Sequence, residues 1–539
     1  MRGDNDVHGA KTSSKFTPVV SADGKPMMTS AWSSAIRSGE AITEVPDYPD
    51  LDGMKFMLVV PNDYYRKKLM NLGPGYIATT LKRCNVDVSM TDCSIYGYDD
   101  IELAKIFIHS GAKVFGIGAL YPMFREVERI CNIIRAVVPN ATIILGGSMP
   151  SPIPEFALRK TGADIAAIGE AELTMISLMK VFAGEMGIED VKGICYLRDE
   201  EFFDNGKPVL PRRVTKAEVG WPDRDVYPIE KYLTCNKFYP FDQNARMLTL
   251  VTGRGCPYAC NFCYRSSAYR IRTADDILDE LEYLIDRYRL DAFYIVDDLV
   301  MLSERKIRDF CQGILDRGLK VQYNCTGRVN IVTPEILGLL RESGCVSIYY
   351  GFESGNQTVL ETMSKKTNLE QIHETVRLTR EAGIFLEFGL MFGQPGEDEA
   401  SLRDSVQLVK DISYDEFRTQ KIFGCVPFPG TALYDWCKQN GRIKDDEDFY
   451  NRYISQDWSL DQLPVNMTDL PDEQVARMFQ EANQELSGFY ANEMPRSWIK
   501  LFGGDIAEFE KYQNGRVDLR HLDQFTEASG STFDTSGRT

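Results

Sequence analysis

Three cysteines lie within eight residues of one another in the sequence GRGCPYACNFCYR. Cys256, Cys260 and Cys263 directly follow a predicted strand, and the glycines and proline among them favour a loop over a helix. Three thiolates bind three irons of a [4Fe–4S] cluster and leave the fourth iron without a protein ligand. A structural zinc site needs a fourth Cys or His at short spacing, and none of the four histidines is near this loop. The spacing therefore favours a cluster over structural zinc or unreactive thiols.

The segment that carries this loop alternates between apolar runs and amphipathic stretches, which indicates βαβ units and a parallel sheet. Between residues 247 and 425 the runs that predict strands are MLTLVTG, AFYIVDD, KVQYNC, SIYYGFE, FLEFGLMF and FRTQKIFGC. We therefore expect a partial or full (β/α)6 barrel whose first strand leads into the cysteine loop.

A second α/β body is predicted ahead of the barrel. The runs KFMLVV, VDVSM, KVFGIGA, TIILGG and ADIAAIG lie between residues 55 and 169 and predict one doubly wound parallel sheet. The predicted organisation is a flexible leader (1–53), a doubly wound domain (54–187), a linker with a β-hairpin around Asn205 and Gly206 (188–245), the barrel (246–435), a helical C-terminal region (436–505) and a polar, disordered tail (506–539).

Composition limits the classes of partner. The chain of 539 residues has a formal net charge of −18, and a surface this acidic argues against nucleic acid or an anionic membrane as the main partner. No run approaches the roughly 20 apolar residues of a membrane span, and the first residues lack the apolar segment of a secretory signal. We expect a cytoplasmic protein without a transmembrane segment, in which most of the 13 cysteines are reduced thiols.

The motif Cys-x3-Cys-x2-Cys at the end of a first barrel strand resembles the radical S-adenosylmethionine (SAM) superfamily. The likeness continues in order through YIVDD, NCTGR, GFESGNQTVLETMSKK and GLMFGQPGED, over about residues 245–435. It implies a [4Fe–4S] cluster on the three cysteines, with SAM chelated by the open iron and cleaved reductively to methionine and a 5′-deoxyadenosyl radical. It also implies a reducing partner such as flavodoxin or ferredoxin. The residues at the family's SAM-contact positions are Phe262, Asp297, Asp298, Arg328, Glu353, Ser354 and Gly393.

Each accessory residue has a purely structural alternative. Asp297 and Asp298 could form an ordinary strand-end turn or cap a helix. Arg328 could form a surface salt bridge, and Glu353 and Ser354 could cap the helix that follows them.

The strand-end loops of the N-terminal domain lie at the edge where doubly wound sheets bind ligands. With NLGPGYIATTL and the GEAE turn they resemble the cobalamin-binding domain fused to a large radical SAM subfamily. The resemblance implies cobalamin contacts at Asp92, Gly116, Gly146, Gly147, Ser148, Gly169 and Glu170. The motif Asp-x-His-x-x-Gly, whose His binds cobalt in many such domains, reads here as Asp92-Cys93-Ser94-Ile95-Tyr96-Gly97. We therefore expect base-off cobalamin without a protein His ligand; the alternative is a degenerate domain that shapes the substrate cavity.

The two resemblances together predict a cobalamin-dependent radical SAM enzyme that methylates an unactivated carbon. One alternative is cyclisation, rearrangement or oxidation with the same cofactors, and another is a non-enzymatic cobalamin or redox sensor. Methylthio transfer is disfavoured because Cys84, Cys93 and Cys131 are too far apart in sequence to resemble the additional cluster of that class. The substrate could be a small metabolite, a lipid, a tetrapyrrole or a peptide.

Overall fold

The computed structural model describes residues 40–42, 45–62, 69–235, 240–242, 244–265, 267–300, 303–412, 420–453 and 463–493. The predicted tail (506–539) and most of the predicted leader (1–53) lie outside them. None of the described helices is long and apolar enough to cross a membrane.

The N-terminal half is built on a seven-stranded sheet with the order β3-β2-β4-β5-β6-β7-β8. The strands are β1 (Glu40–Ile42), β2 (Lys55–Val60), β3 (Asp87–Asp92), β4 (Val114–Gly118), β5 (Thr142–Gly146), β6 (Ile165–Ala167), β7 (Ile194–Arg198), β8 (Glu201–Asp204) and β9 (Val209–Pro211). The helices are α1 (Gly73–Arg83), α2 (Cys93–Tyr96), α3 (Asp100–Ser110), α4 (Phe124–Val137), α5 (Pro154–Thr161), α6 (Glu172–Phe182) and α7 (Ile229–Cys235). The five predicted strands are β2 to β6, and they pair in parallel.

The apolar run of β2 explains why helices cover both faces of this sheet. Phe56 and Leu58 pack into one core cluster with residues of α1 and α6. Met57 and Val59 pack into a second cluster on the opposite face, with α3, α4 and α5. A continuous apolar strand is typical of a parallel sheet buried on both sides.

Two features differ from the sequence prediction. The hairpin turns between β7 and β8, at Asp199 and Glu200, whose φ values of 51° and 65° suit a two-residue turn. Asn205, expected in the turn, instead donates its side-chain amide to the carbonyl oxygens of Ile188 and Val191 after β8 has ended. The hairpin therefore extends the first sheet, to which β7 pairs antiparallel. Within the predicted leader, β1 pairs in parallel with β9.

The second half is an open barrel of six parallel strands in the order β10-β13-β14-β15-β16-β17. Its strands are β10 (Met247–Leu250), β13 (Ala292–Ile295), β14 (Gln322–Gly327), β15 (Cys345–Glu353), β16 (Phe385–Phe392) and β17 (Ile422–Gly424), and β11 (Gly253–Arg254) and β12 (Arg270–Ile271) form a separate antiparallel pair. The helices are α8 (Ala274–Tyr288), α9 (Glu304–Asp316), α10 (Pro334–Glu342), α11 (Gln357–Thr362), α12 (Leu369–Glu381), α13 (Glu399–Ile412), α14 (Ala432–Gln439), α15 (Asp446–Tyr453) and α16 (Asp472–Glu493). Within the described residues the first and last strands do not pair, so the predicted fold class, a doubly wound sheet followed by a partial barrel and C-terminal helices, is confirmed.

A buried charge triad fastens the segment between the two sheets to the barrel. Glu280 of α8 is fully buried and binds Arg224 at 2.6 Å and Arg272 at 2.5 Å. Arg224 also donates to the carbonyl oxygen of Thr249, in β10. Each buried charge thus has a partner of opposite sign, as burial requires.

Glu280→Ala is expected to lower the free energy of unfolding by about 3–5 kcal/mol, because it leaves the buried Arg224 guanidinium without a carboxylate and Arg272 with Asp276 alone. Urea denaturation followed by fluorescence measures the change. Glu374→Ala, which breaks an exposed ion pair with Arg377 on α12, is the matched control and should change little. Equal destabilisation by the two substitutions would contradict this account of the triad.

Candidate functional site

The cysteine loop is anchored by its own residues. Asn261, between the second and third cysteines, receives a backbone hydrogen bond from Leu433 and donates its backbone N–H to Met363 and its side-chain amide to Thr362. Gly255 has a φ of 69°, and a Cβ there would lie 2.5 Å from the carbonyl oxygen of Ser267. Only glycine therefore allows the loop to approach the chain that returns from it.

The three cysteines differ in exposure but lie near one another. Cys260 is buried, Cys256 is half-buried and Cys263 is exposed, and each is close enough to interact electrostatically with another of the three. The described residues contain no group of three His, Cys, Asp or Glu side chains converging on a single metal ion.

Arg328, which follows β14, lies beside the cysteine loop. Its guanidinium carbon is 3.5 Å from the centre of the Tyr258 ring, and one nitrogen donates to the carbonyl oxygen of Lys365. Its Nε is buried and has no hydrogen-bond partner. A buried cationic donor without a partner fits an anionic ligand group, so the donor set suits the carboxylate of SAM.

A strained stretch of backbone surrounds Glu353, the last residue of β15. Its carboxylate binds Nζ of Lys365 at 2.6 Å in a largely buried ion pair. Glu353, Ser364 and Lys366 all have left-handed backbone, with φ values of 69°, 57° and 53°. Such residues cost of order 1–3 kcal/mol each and cluster at functional sites. Lys365, which sequence reasoning did not single out, thus joins the predicted group.

Three other predicted SAM contacts have structural partners. The Ser354 hydroxyl is fully buried and accepts the backbone N–H of Asn356, and it is Asn356, not Ser354, whose side chain caps α11. Gly393, with a φ of 107°, donates its N–H to the buried carboxylate of Glu397. Burial raises the pKa of that carboxyl to about 8. Phe262 is partly buried and packs against a core cluster formed by residues of both the N-terminal domain and the C-terminal helices.

The carboxyl ends of the first sheet face the barrel across one cavity of about 380 Å³. Its walls include 116–120, 144–147 and 169–172 from the first domain, and 253–255 and 296–298 from the barrel. The two cofactor sites were expected on separate domains, but these domains share the cavity.

Glycines form an open floor on the sheet side of this cavity. Gly118 and Gly146 are paired neighbours on β4 and β5, and a Cβ on either would meet no atom within 4 Å. Gly147 has a φ of 87°, and a Cβ there would lie 2.6 Å from the carbonyl oxygen of Ala119. A floor without side chains fits a large flat ligand such as a corrin.

Some of the remaining predicted cobalamin contacts line the cavity and others do not. Gly169 lines the cavity, and Gly116 does too, although a Cβ at Gly116 would meet the Phe56 ring at 2.8 Å. Asp92 does not line the cavity, because its buried carboxylate caps α2 and accepts the Tyr232 hydroxyl at 2.7 Å. Ser148 lies just beyond the lining residues.

Asp297 and Asp298 reach the same cavity from the end of β13. Asp297 is buried and accepts both the backbone N–H and the hydroxyl of Thr252, and burial raises its pKa to about 7. Asp298 is exposed and accepts the backbone N–H of Gly255 in the cysteine loop.

Glu170, predicted to contact cobalamin, instead directs its carboxylate across the domain boundary. It binds Arg254 of β11, two residues before the first cysteine, as well as Arg270 of β12. Glu172, the first residue of α6, binds the other arm of Arg254 at 2.6 Å. Sequence reasoning missed both arginines, because Arg254 lies 84 residues from Glu170.

Comparison with known proteins finds two family models that match this chain. Residues 250–409 match the model of the radical SAM superfamily, and residues 62–179 match that of the B12 binding domain. Both matches fall within the corresponding predicted domains.

Individual proteins are similar to this chain over 70–80% of its length. The chain is 23% identical over 450 residues to an uncharacterized methyltransferase of Pyrococcus horikoshii, covering 80% of this chain and 91% of the relative. It is 26% identical over 391 residues to the anaerobic magnesium-protoporphyrin IX monomethyl ester cyclase of Cereibacter sphaeroides, covering 70% and 61%. The fold is similar to that of the radical SAM methyltransferase TsrM of Kitasatospora setae, solved with cobalamin and a [4Fe–4S] cluster, with a TM-score of 0.60, 17% identity and coverage of 75% and 79%.

The raised pKa of Asp297 predicts a pH dependence of stability. The unfolded carboxyl loses its proton near its usual pKa of 3.8, whereas the folded one keeps it until about 7. The contribution of Asp297 to stability therefore falls as the pH rises through this window, by up to ~1.4 kcal/mol per pH unit, and is constant above it. Thermal unfolding between about pH 5 and pH 7 should show this slope in the wild type, and Asp297→Asn should make the slope shallower by that amount while leaving the part due to Glu397. The exposed Asp309→Asn should keep the wild-type slope; an unchanged slope in Asp297→Asn would refute the assignment.

Proposed function

The chain carries a B12-binding domain and a radical SAM domain and is an enzyme that uses a [4Fe–4S] cluster, SAM and cobalamin; from this premise we propose that it methylates an unactivated carbon. The observation that carries the proposal is the shared cavity, into which the glycine floor of the first domain and the acidic end of β13 both open. Methylation with these cofactors needs both of them within reach of one substrate. The relationship to a methyltransferase along most of both chains supports this reading.

Different residues would hold the cluster and SAM in this arrangement. When bound, the cluster and SAM supply a 5′-deoxyadenosyl radical and cobalamin supplies a methyl group. Cys256, Cys260 and Cys263 hold the cluster, and Arg328 offers its unpartnered Nε to the carboxylate of SAM. Asp297, fixed by Thr252, offers its carboxyl to the polar groups of SAM. A separate reductant such as flavodoxin or ferredoxin supplies the electron in the cytoplasm.

The cavity is lined mainly by apolar groups. Leu72, Ile117, Leu120 and Val296 contribute apolar walls between its polar ends. An apolar enclosure limits side reactions of a radical with solvent.

Cobalamin is proposed to bind base-off without a protein His ligand. The two described histidines, His109 on α3 and His373 on α12, are exposed and do not line the cavity. His109 donates its Nδ1–H to the carbonyl oxygen of Lys105 in its own helix.

A second candidate function is oxidative cyclisation with the same cofactors. The observation in its favour is the likeness to the anaerobic magnesium-protoporphyrin IX monomethyl ester cyclase. The two functions differ in the fate of the SAM methyl group, which only the methyltransferase passes to cobalamin and then to the substrate.

Gly146→Val should abolish cobalamin binding while the protein still folds. The new side chain enters open space over the cavity floor, with no protein atom within 4 Å of its Cβ, and occupies the volume offered to the corrin. Titration with hydroxocobalamin, followed by absorbance after gel filtration, measures binding. Gly338→Val, at an equally open position on α10, is the control and should bind like the wild type. Unchanged binding by Gly146→Val would remove this surface from the cobalamin site.

The function itself is tested with anaerobically reconstituted, reduced protein, cobalamin and SAM labelled in its methyl group. We expect 5′-deoxyadenosine together with label on cobalamin. Cys260→Ala should lose 5′-deoxyadenosine formation by at least about a hundredfold, because the cluster loses a ligand, whereas Cys235→Ala on α7 should retain it. 5′-Deoxyadenosine without label on cobalamin would contradict methyl transfer and favour cyclisation or oxidation.

A further inference from the structure

Four charged residues join the turn after β6 to the chain on either side of the cysteine loop. We call Glu170, Glu172, Arg254 and Arg270 the interdomain ion-pair network. Arg254 contacts both carboxylates, Glu170 also contacts Arg270, and all four side chains are 6–14% exposed. The Ser267 hydroxyl donates to Glu170 as well.

The network lies directly between the two predicted cofactor surfaces. Glu170 follows Gly169 on the cavity wall of the first domain, and Arg254 precedes Cys256 by two residues. The Arg254 guanidinium also lies 4.6 Å from the centre of the Tyr76 ring, on α1 at the same cavity. A movement of the cysteine loop can therefore be transmitted to the predicted cobalamin surface through the Arg254 side chain.

We propose that this network couples the two sites, so that cobalamin binds more tightly once the cluster has ordered the cysteine loop. The inference rests on the proposed function, because it requires both cofactors. Glu170, Glu172 and Arg254 are positioning residues: they act on cobalamin by fixing the turn Gly169–Glu172 against the glycine floor.

The physical reason is the cost of separating buried charges. The two largely buried carboxylates bind different terminal nitrogens of the planar Arg254 guanidinium. This arrangement is possible in only one orientation of the guanidinium. When the cysteine loop is disordered, Arg254 is no longer held in that orientation. The carboxylates of Glu170 and Glu172 then lose hydrogen-bond donors, so the turn that carries them rearranges. Since the cluster and cobalamin then favour the same arrangement, each raises the affinity for the other by the same factor.

The test measures the dissociation constant of hydroxocobalamin for cluster-loaded and cluster-free protein, prepared anaerobically from the same stock. The coupling ratio is the cluster-free constant divided by the cluster-loaded one. The wild type should have a ratio of at least about five. Glu172→Gln and Arg254→Met should bring the coupling ratio close to one. Arg254→Lys, which keeps the charge but loses the two-pronged guanidinium, should give a ratio between one and the wild-type value.

Glu155→Gln is the matched control, because it removes an exposed carboxylate paired with Arg159 on α5 of the same domain. It should keep the wild-type ratio. Iron content and circular dichroism identify variants that fail to fold or load, and the ratio is read only from variants that pass. A purely structural bond would change both constants equally and leave the ratio unchanged.

The outcomes separate the two proposals. A wild-type ratio of one with measurable cobalamin binding, or an unchanged ratio in Glu172→Gln, would overturn the coupling and leave the proposed function standing. Absence of hydroxocobalamin binding to either wild-type form would overturn the proposed function and the coupling with it.

Discussion

The contact between the two domains beside one cavity is the constraint on which the proposed function depends. Under that proposal neither cofactor surface is useful alone, because a radical formed near the cysteine loop must meet the substrate within reach of cobalamin. The ion pairs from Glu170 and Glu172 to Arg254 meet this need directly, since they tie the edge of one sheet to the strand that leads into the cysteines. In a low-dielectric contact such pairs fix geometry more than they add stability.

Backbone conformation shapes the strand ends of both domains. Paired glycines at the ends of β4 and β5 leave a floor without side chains. In the barrel, strained backbone at Glu353 and its ion pair with Lys365 bring charged groups to the end of β15. Both parallel sheets thus present their carboxyl ends to the same space, where open α/β sheets commonly bind ligands.

Local patterns in the sequence were sufficient for the elements and for the cysteine loop. The run KFMLVV is buried on both sides from Phe56 to Val60, so apolar content alone indicated its strand. The hairpin was misplaced because Asn205 and Gly206 have turn chemistry but serve as an anchor, while Asp199 and Glu200 adopt the left-handed turn.

Contacts between distant residues could not be read in the same way. Asp92 was predicted to reach cobalamin from its loop position, but its partner Tyr232 lies 140 residues away and holds the carboxylate in the protein. Glu170 occupies the predicted edge, yet its charge is neutralised by arginines that only the folded chain brings near. Position at a strand end identified the site, while partner choice depended on how the two domains pack.

The most direct test of the central claim is the stoichiometry of the two groups on one chain. Protein reconstituted anaerobically with iron and sulfide, then given hydroxocobalamin and gel filtered, is quantified for iron, sulfide and corrin by chemical assay and mass spectrometry. The account predicts one [4Fe–4S] cluster and one base-off cobalamin bound to the same chain. A fully loaded cluster with no retained corrin would contradict it and make the N-terminal sheet a scaffold or substrate domain.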